Sequence, residues 1–192
     1  MARPRAFDES QVLDQAAELF WERGYEATSV ADLEEHLGLG RQSLYNVFGD
    51  KEQLFLRALE RYAENAHEMR RQLLMKEGAG LPEIRAFFRA NADGLSQGGG
   101  RKGCLLANSL VESASENEGV AERCQQNHKR LGAAFRHALK GAVTAGDLPG
   151  NFDVTSGVNL LVAHTYGMVL MSKAGASAAE LRRNAEEMIR RL

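Results

Sequence analysis

The sequence predicts an all-α protein, and three observations carry that expectation. Apolar residues recur at three- and four-residue spacings along most of the chain, and no segment alternates apolar with polar residues as a half-buried strand would. β-Branched runs are few, and 192 residues contain only three prolines. With 44% hydrophobic residues the chain has the material for a sizeable buried core.

The elements follow in order. Val12, Leu13, Ala16, Ala17 and Phe20 form one stripe of a first helix. Asp8 stands at its N-cap with Gln11 three residues on, Phe7 and Val12 hold the positions of a hydrophobic staple, and Gly24 ends it. Ser29, with Asp32 three residues later, has the spacing of a capping box; it opens a two-turn helix with Val30, Ala31, Leu33 and Leu37 on its apolar side, stopped by Gly38. A short third helix, Arg41–Phe48, lies between the Gly38 to Gly40 turn and Gly49. Asp50, with Gln53 at the reciprocal position, caps a long fourth helix through Leu54, Leu59 and Tyr62 to about Leu74, and Gly78, Gly80 and Pro82 end it. Further helical patterns cover 82–96, 104–115, 120–145, 154–173 and 178–191, separated by GGGRKG, a Glu/Asn/Gly break, GDLPGN and AGAS. That makes about nine helices and no internal repeat. The expected organisation is a three-helix N-terminal unit, residues 1–55, and a helical body, residues 56–192, divided inside the fourth helix rather than at a linker.

Several function classes recede on composition. Two cysteines, Cys104 and Cys124, cannot build a disulfide framework, and no metal-type C-x-x-C pair occurs. The N-terminus has two arginines but no apolar leader core, and the greasiest stretch, 158–171, is interrupted by Asn159, His164 and Gly167, so the expectation is a cytoplasmic protein with no membrane role. His67-Glu68 begins like H-E-x-x-H, but position 71 is arginine, and GGGRKG lacks the spacing and hydroxyl of a phosphate loop; neither a metal nor a cofactor is expected. Net charge is −2, and within residues 1–51 five cations, Arg3, Arg5, Arg23, Arg41 and Lys51, face ten carboxylates. Charge alone argues against a strongly basic nucleic-acid binder.

The short third helix argues the other way. At about 100° per residue, Leu44 and Phe48 point together with Val47 beside them, while Gln42 and Asn46 project from the opposite side, flanked by Ser43 and Tyr45. Two primary amides one turn apart suit a major groove, because Gln or Asn donates to and accepts from adenine N6 and N7 together. Arg41 is placed for a guanine edge or a phosphate. Thr28, Ser43, the Tyr45 hydroxyl and Lys51, with the first-turn amides of the fourth helix, suit phosphate contacts. This is a helix-turn-helix arrangement.

Residues 28–55, TSVADLEEHLGLGRQSLYNVFGDKEQLF, resemble the signature of the TetR family of bacterial transcriptional regulators: a hydroxyl before helix two, a glycine turn, then L-Y-x-x-F and a lysine opening helix four. The likeness is strong over roughly residues 8–62. Beyond that it rests on helix number and on GCLLANSLVE (103–112), which is similar to the G-C-L motif of one effector-domain subgroup. Gly40 stands where the family often has a Ser or Thr cap, and Val47 where many members have an aromatic on phosphate, so one backbone contact is expected to be missing. The resemblance implies a homodimeric repressor, not an enzyme, that a small-molecule effector releases from its operator when the fourth helix swings the reading heads out of groove register.

The residues add their own arguments. Few cations mean few released counterions, so tight binding to double-stranded DNA needs two copies on a pseudo-palindromic operator, with reading helices roughly 34–36 Å apart. Along 154–173 apolar residues go most of the way round the helix, and 178–191 is amphipathic, so the two are expected to build a four-helix seam about a two-fold axis. Candidate effector contacts in the apolar body are Phe88, Asn91, Asn108, Phe135, His164 and Tyr166, a set that suits a small hydrophobic effector. Cys104 opens a helix after Arg101, Lys102 and Gly103, where cations and helix amides favour a thiolate. The alternative is therefore a redox- or electrophile-sensing repressor, in which a Cys104 sulfenic acid would condense with Cys124 or Lys173. As a small hydrophobe Cys104 would instead simply pack. A small helical enzyme acting on an apolar substrate, with His164 or Glu112 as base, is the reading from another class.

Overall fold

The computed structural model describes residues 7–96 and 102–192; Arg3, Arg5, Arg101 and most of the GGGRKG connector lie outside the described residues. It contains nine helices and no strand among the described residues: α1 (Glu9–Arg23), α2 (Val30–Leu37), α3 (Arg41–Phe48), α4 (Lys51–Leu74), α5 (Leu81–Ser96), α6 (Leu105–Glu112), α7 (Glu118–Ala145), α8 (Val154–Lys173) and α9 (Ala178–Ile189).

Capping chemistry sets the N-terminal boundaries. Asp8 caps α1 by accepting the Ser10 N–H at 2.9 Å, while Gln11 stays exposed. Both halves of the α2 capping box form: the Asp32 N–H donates to Ser29 Oγ at 3.2 Å, and the Ser29 N–H donates to Asp32 Oδ2 at 2.8 Å. Gly38 then adopts φ 64°, a left-handed conformation that costs a side-chain-bearing residue about 1 kcal/mol, and this turns the chain into α3. Asp50 caps α4 through the Gln53 N–H at 2.8 Å. Further on, α6 stops at Glu112, short of the expected 115, because Ser113 to Glu116 form turns that bring Asn117 to the cap of α7, where it accepts the Val120 N–H at 3.0 Å.

The buried side chains fall into two clusters joined by α4. The first gathers Val12, Phe20, Leu33, Leu44, Phe48 and the Leu54 to Ala63 part of α4, and it also takes in Leu105, Leu106, Val120 and Cys124 from the body. The second is built on Phe87, Phe88 and Phe135, whose ring centroids lie 5.2, 5.2 and 5.7 Å apart, with Leu139, Leu161, Met168 and Leu181 around them. Burying each of these large side chains contributes about 1.5–3 kcal/mol. Gly141 permits one close approach: a Cβ there would lie 2.0 Å from the Ala79 carbonyl oxygen, so the α4–α5 turn rests directly on α7.

Two expectations change at the C-terminal end. α8 is longer than the greasy stretch read from sequence. At 20 residues it is long and apolar enough, by length and composition only, to cross a membrane; Val158, Leu161, Val162, Met168 and Val169 are instead buried against α5, α7 and α9. α9 has its apolar side, Leu181, Ala185, Met188 and Ile189, already buried within the chain, largely against α5, with Glu186 paired to Arg85 and Arg89. Arg182, Arg183 and Asn184 face outward, so the exposed side of α9 is polar. α8 leaves Leu160, Ala163 and Leu170 exposed along one side, near the exposed Leu110 and Val111 of α6.

Candidate nucleic-acid interface and ligand cavity

Leu44 and Phe48, 3% and 4% exposed, hold α3 by its inner face. Arg57 of α4 clamps its far end: one guanidinium nitrogen donates to the Val47 carbonyl at 3.2 Å, the group lies 4.9 Å from the Phe48 ring centroid, and it pairs with Glu9 of α1. α2 and α4, with α1 bracing Arg57, thus fix the orientation of a helix too short to hold itself, since isolated helices below about 12 residues are marginal in water.

With the inner face fixed, Arg41, Gln42, Ser43 and Asn46 stand exposed and Tyr45 is half-buried. Gln42 Nε2 donates to Asn46 Oδ1 at 3.0 Å, so the two amides support each other and leave Gln42 Oε1 and Asn46 Nδ2 facing out. That is an acceptor beside a donor, the complement of adenine N6 and N7. Arg41 lies along the Tyr45 ring, 5.4 Å from its centroid, with 3.4 Å between a guanidinium nitrogen and the hydroxyl. Gly40 supplies no side-chain cap, but Glu34 accepts the Arg41 N–H at 2.5 Å in its place. Lys51 Nζ sits 4.2 Å from the Tyr25 ring centroid, and burial raises the Tyr25 hydroxyl above its ordinary value.

Thr28 departs from expectation. It is fully buried and its hydroxyl donates to the Gly24 carbonyl at 2.7 Å, so it ties the α1–α2 turn instead of reaching a phosphate. The hydroxyl before α2 was legible in the sequence; the neighbouring carbonyl that takes it was not.

The body holds a half-open cavity of about 260 Å³ between α4, α5, α7, α8 and the start of α6. Of the expected effector residues, Asn91 and Tyr166 line it, and Cys104 lies on its wall. Phe88 and Phe135 do not: both are 0% exposed inside the aromatic core. His164 packs edge-on to Phe88, 5.2 Å between centroids, with Nε2 unpartnered, and burial holds its pKa below the usual histidine value, so the ring is neutral at pH 7. Asn108 binds the Lys102 carbonyl at 2.8 Å and Lys173 Nζ at 3.0 Å, lining the neighbouring recess beside α1. Lys102 is turned away from Cys104 and paired with Glu18 and Glu22 on α1. The Tyr62 hydroxyl, which burial and the neighbouring Cys104 raise well above its ordinary range, donates to Cys104 Sγ at 3.7 Å. Cys124 is core: its thiol donates to the Leu106 carbonyl at 3.3 Å, and burial pushes it up to about 11.

Arg70, Asn127, Tyr62, Thr165 and Trp21 also line the cavity and were not singled out in the sequence. Arg70 had a readable signal. It lies seven residues after Ala63 and four before Leu74, on the buried stripe of α4, where a charge is out of pattern.

Comparison with known proteins agrees with this fold. Residues 12–58 match the family model "Bacterial regulatory proteins, tetR family", and residues 80–188 match "Tetracyclin repressor-like, C-terminal domain". The chain is 33% identical over 182 residues to the uncharacterized HTH-type transcriptional regulator YezE of Bacillus subtilis (strain 168), covering 94% of each. It is 31% identical over 189 residues to the HTH-type transcriptional repressor ComR of Escherichia coli (strain K12), covering 98% of this chain and 90% of ComR. A cysteine-substituted form of the TetR family regulator CifR, solved with 26-base-pair double-strand operator DNA, superposes with a TM-score of 0.86 at 27% identity, covering 98% of both chains. The chain therefore belongs to the TetR family: it is a DNA-binding transcriptional regulator, not an enzyme.

Proposed function

We propose that the chain acts as a homodimeric repressor whose two α3 helices read successive major grooves of a pseudo-palindromic operator, and which leaves the DNA when a small molecule fills the body cavity. The reading head ends within α4. The observation that carries this reading is the outer face of α3, where Gln42 and Asn46 are exposed and mutually oriented over a buried Leu44–Phe48 inner face. In this arrangement Gln42 and Asn46 read base edges, Arg41 reaches a guanine or a phosphate, and Ser43, Tyr45 and Lys51 set the register on the backbone. Thr28 has no direct part. The exposed side of α8, Leu160, Ala163 and Leu170, supports pairing, because an apolar stripe of this kind on a folded chain marks an interaction surface. CifR supports the operator geometry by analogy, since its structure holds operator DNA.

The test is a mobility-shift titration with DNA from upstream of the chain's own gene, with stoichiometry from light scattering. Wild type should shift it as two protomers per site. Leu170→Glu should elute as a monomer and lose at least tenfold in affinity, because the second head no longer binds within the same complex. A full-affinity shift by monomeric Leu170→Glu, or no shift of any upstream fragment, would sink the reading.

A further inference from the structure

Arg70 projects from α4 into the body of the protein and is 5% exposed. One of its terminal nitrogens donates to Asn127 Oδ1 at 2.6 Å; the other, Nη1, is buried with no hydrogen-bond partner. No carboxylate pairs with it among the described residues, although fourteen ion pairs link other side chains. Arginine does not shed its charge in a protein, so a full positive charge sits in the interior with part of its fork unanswered. A cation placed this way is costly unless something anionic answers it.

The cavity it lines shows what could. Its volume, about 260 Å³, lies just below the roughly 300–1,000 Å³ of ordinary ligand sites. Arg70 is the only cation on its wall among the described residues, and Asp and Glu are absent from that wall. Phe87, Leu95, Leu106, Leu131 and Val169 supply an apolar lining. One planar fork matches one carboxylate. A phosphate dianion would bring a second charge with no second cation to meet it among the described residues, and a neutral ligand could accept a hydrogen bond from Nη1 but would leave the charge unanswered.

We propose that this cavity binds a small monocarboxylate with an apolar body, its carboxylate on the Arg70 guanidinium and its hydrocarbon part among Phe87, Leu131 and Val169. The proposal rests on reading the body as an effector-binding unit and names the chemical class of the effector. The site also touches the reading head. Trp21 of α1 lines the cavity, its indole N–H donates to the Lys102 carbonyl at 3.0 Å, and its ring meets Tyr62 edge-on at 5.5 Å. A ligand beside Tyr62 and Arg70 therefore bears on α4 and on α1 together.

Trp21 is the chain's single tryptophan and lines both this cavity and the recess beside α1, so its emission reports binding at either, and the Arg70 variants assign it. The experiment titrates the purified full chain, without DNA, with benzoate, phenylacetate and 4-methylpentanoate, each beside its own carboxamide, following Trp21 fluorescence and Tm up to about 10 mM, where a Kd of ~1 mM would be close to saturation. At least one acid should shift both signals and bind tenfold or more tightly than its amide. Arg70→Gln, checked for wild-type helicity by circular dichroism, should bind acid and amide alike, and Arg70→Lys should restore part of the preference. If Arg70→Gln fails to fold, Arg70→Lys decides: an acid preference unchanged from wild type in that variant would place binding elsewhere and overturn the proposal. Equal binding of acid and amide, or no response to any acid, overturns the proposal. So does a tenfold gain in acid affinity on Cys104→Ser, which would mean that the thiolate already answers Arg70. Because no DNA is present, failure here leaves the operator reading untouched, and loss of operator binding leaves this one untouched.

Discussion

The outer face of α3 and the cavity at Arg70 both carry polar groups that the protein does not fully match, and they differ in what surrounds them. Gln42 and Asn46 are exposed, and water satisfies their free amide atoms until a base edge replaces it. Arg70 Nη1 is buried, where no such replacement is at hand. The first arrangement is cheap to maintain and gains selectivity from geometry; the second holds a standing desolvation cost that a ligand of the right charge would relieve. The comparison predicts opposite responses to mutation. Disturbing the support of α3 should be expensive, whereas removing Arg70 should cost the free protein little.

The largest effect is expected from Phe48→Ala. Phe48 is 4% exposed and sits under the Arg57 guanidinium, so truncation should lose about 3–5 kcal/mol and operator binding with it, as read by urea denaturation and mobility shift. Wild-type stability in that variant would show that α3 is not seated as described. Arg70→Met should change stability by no more than about 1 kcal/mol, because losing the bond to Asn127 is offset by removing a partly unanswered buried charge. A loss several times larger would mean that Arg70 is a structural anchor and the contrast fails.

The smallest effect separates the regions by pH. Burial depresses the folded pKa of His164 in the body, so between that value and its unfolded pKa of about 6.5 the unfolded chain binds more protons. Its contribution is present above about pH 6.5 and is lost as pH falls through the folded value. In the head, the Asp32 carboxylate is held below its ordinary value by the Ser29 hydroxyl and backbone N–H, then by Arg23. Its contribution is present above the unfolded pKa of about 3.9 and is lost only as pH falls further. Tm should therefore fall between pH 7.5 and 5.5 in wild type and fall less in His164→Gln. Identical slopes would contradict the assignment.

The head was legible because its signals are local. Asp8, Ser29 with Asp32, Gly38 and Asp50 each act within four residues of where they stand, so caps and turn could be read in register. The body was legible as helices but not as a site. Phe88, Phe135 and His164 announce apolar packing, and sequence spacing does not distinguish the filled part of a core from the part left open; only Asn91, Tyr166 and Cys104 of the expected set reach the cavity. The apolar side of α9 was visible, but not that α5 covers it. Arg70 is the instructive residue, because its stripe position could be computed, whereas its single bond to Asn127 and its unanswered Nη1 depend on α7, more than fifty residues away in sequence.

The central claim is that operator selectivity resides in the paired amides of α3 rather than in bulk charge on an acidic chain. The most direct measurement is the ratio of Kd for scrambled DNA to Kd for the operator, at one salt concentration, in wild type and in the Gln42→Ala/Asn46→Ala variant. Each lost base contact is worth about 1–3 kcal/mol and occurs in both heads, so the ratio should fall at least tenfold while affinity for scrambled DNA stays within twofold. An unchanged ratio in a folded double variant would contradict the account.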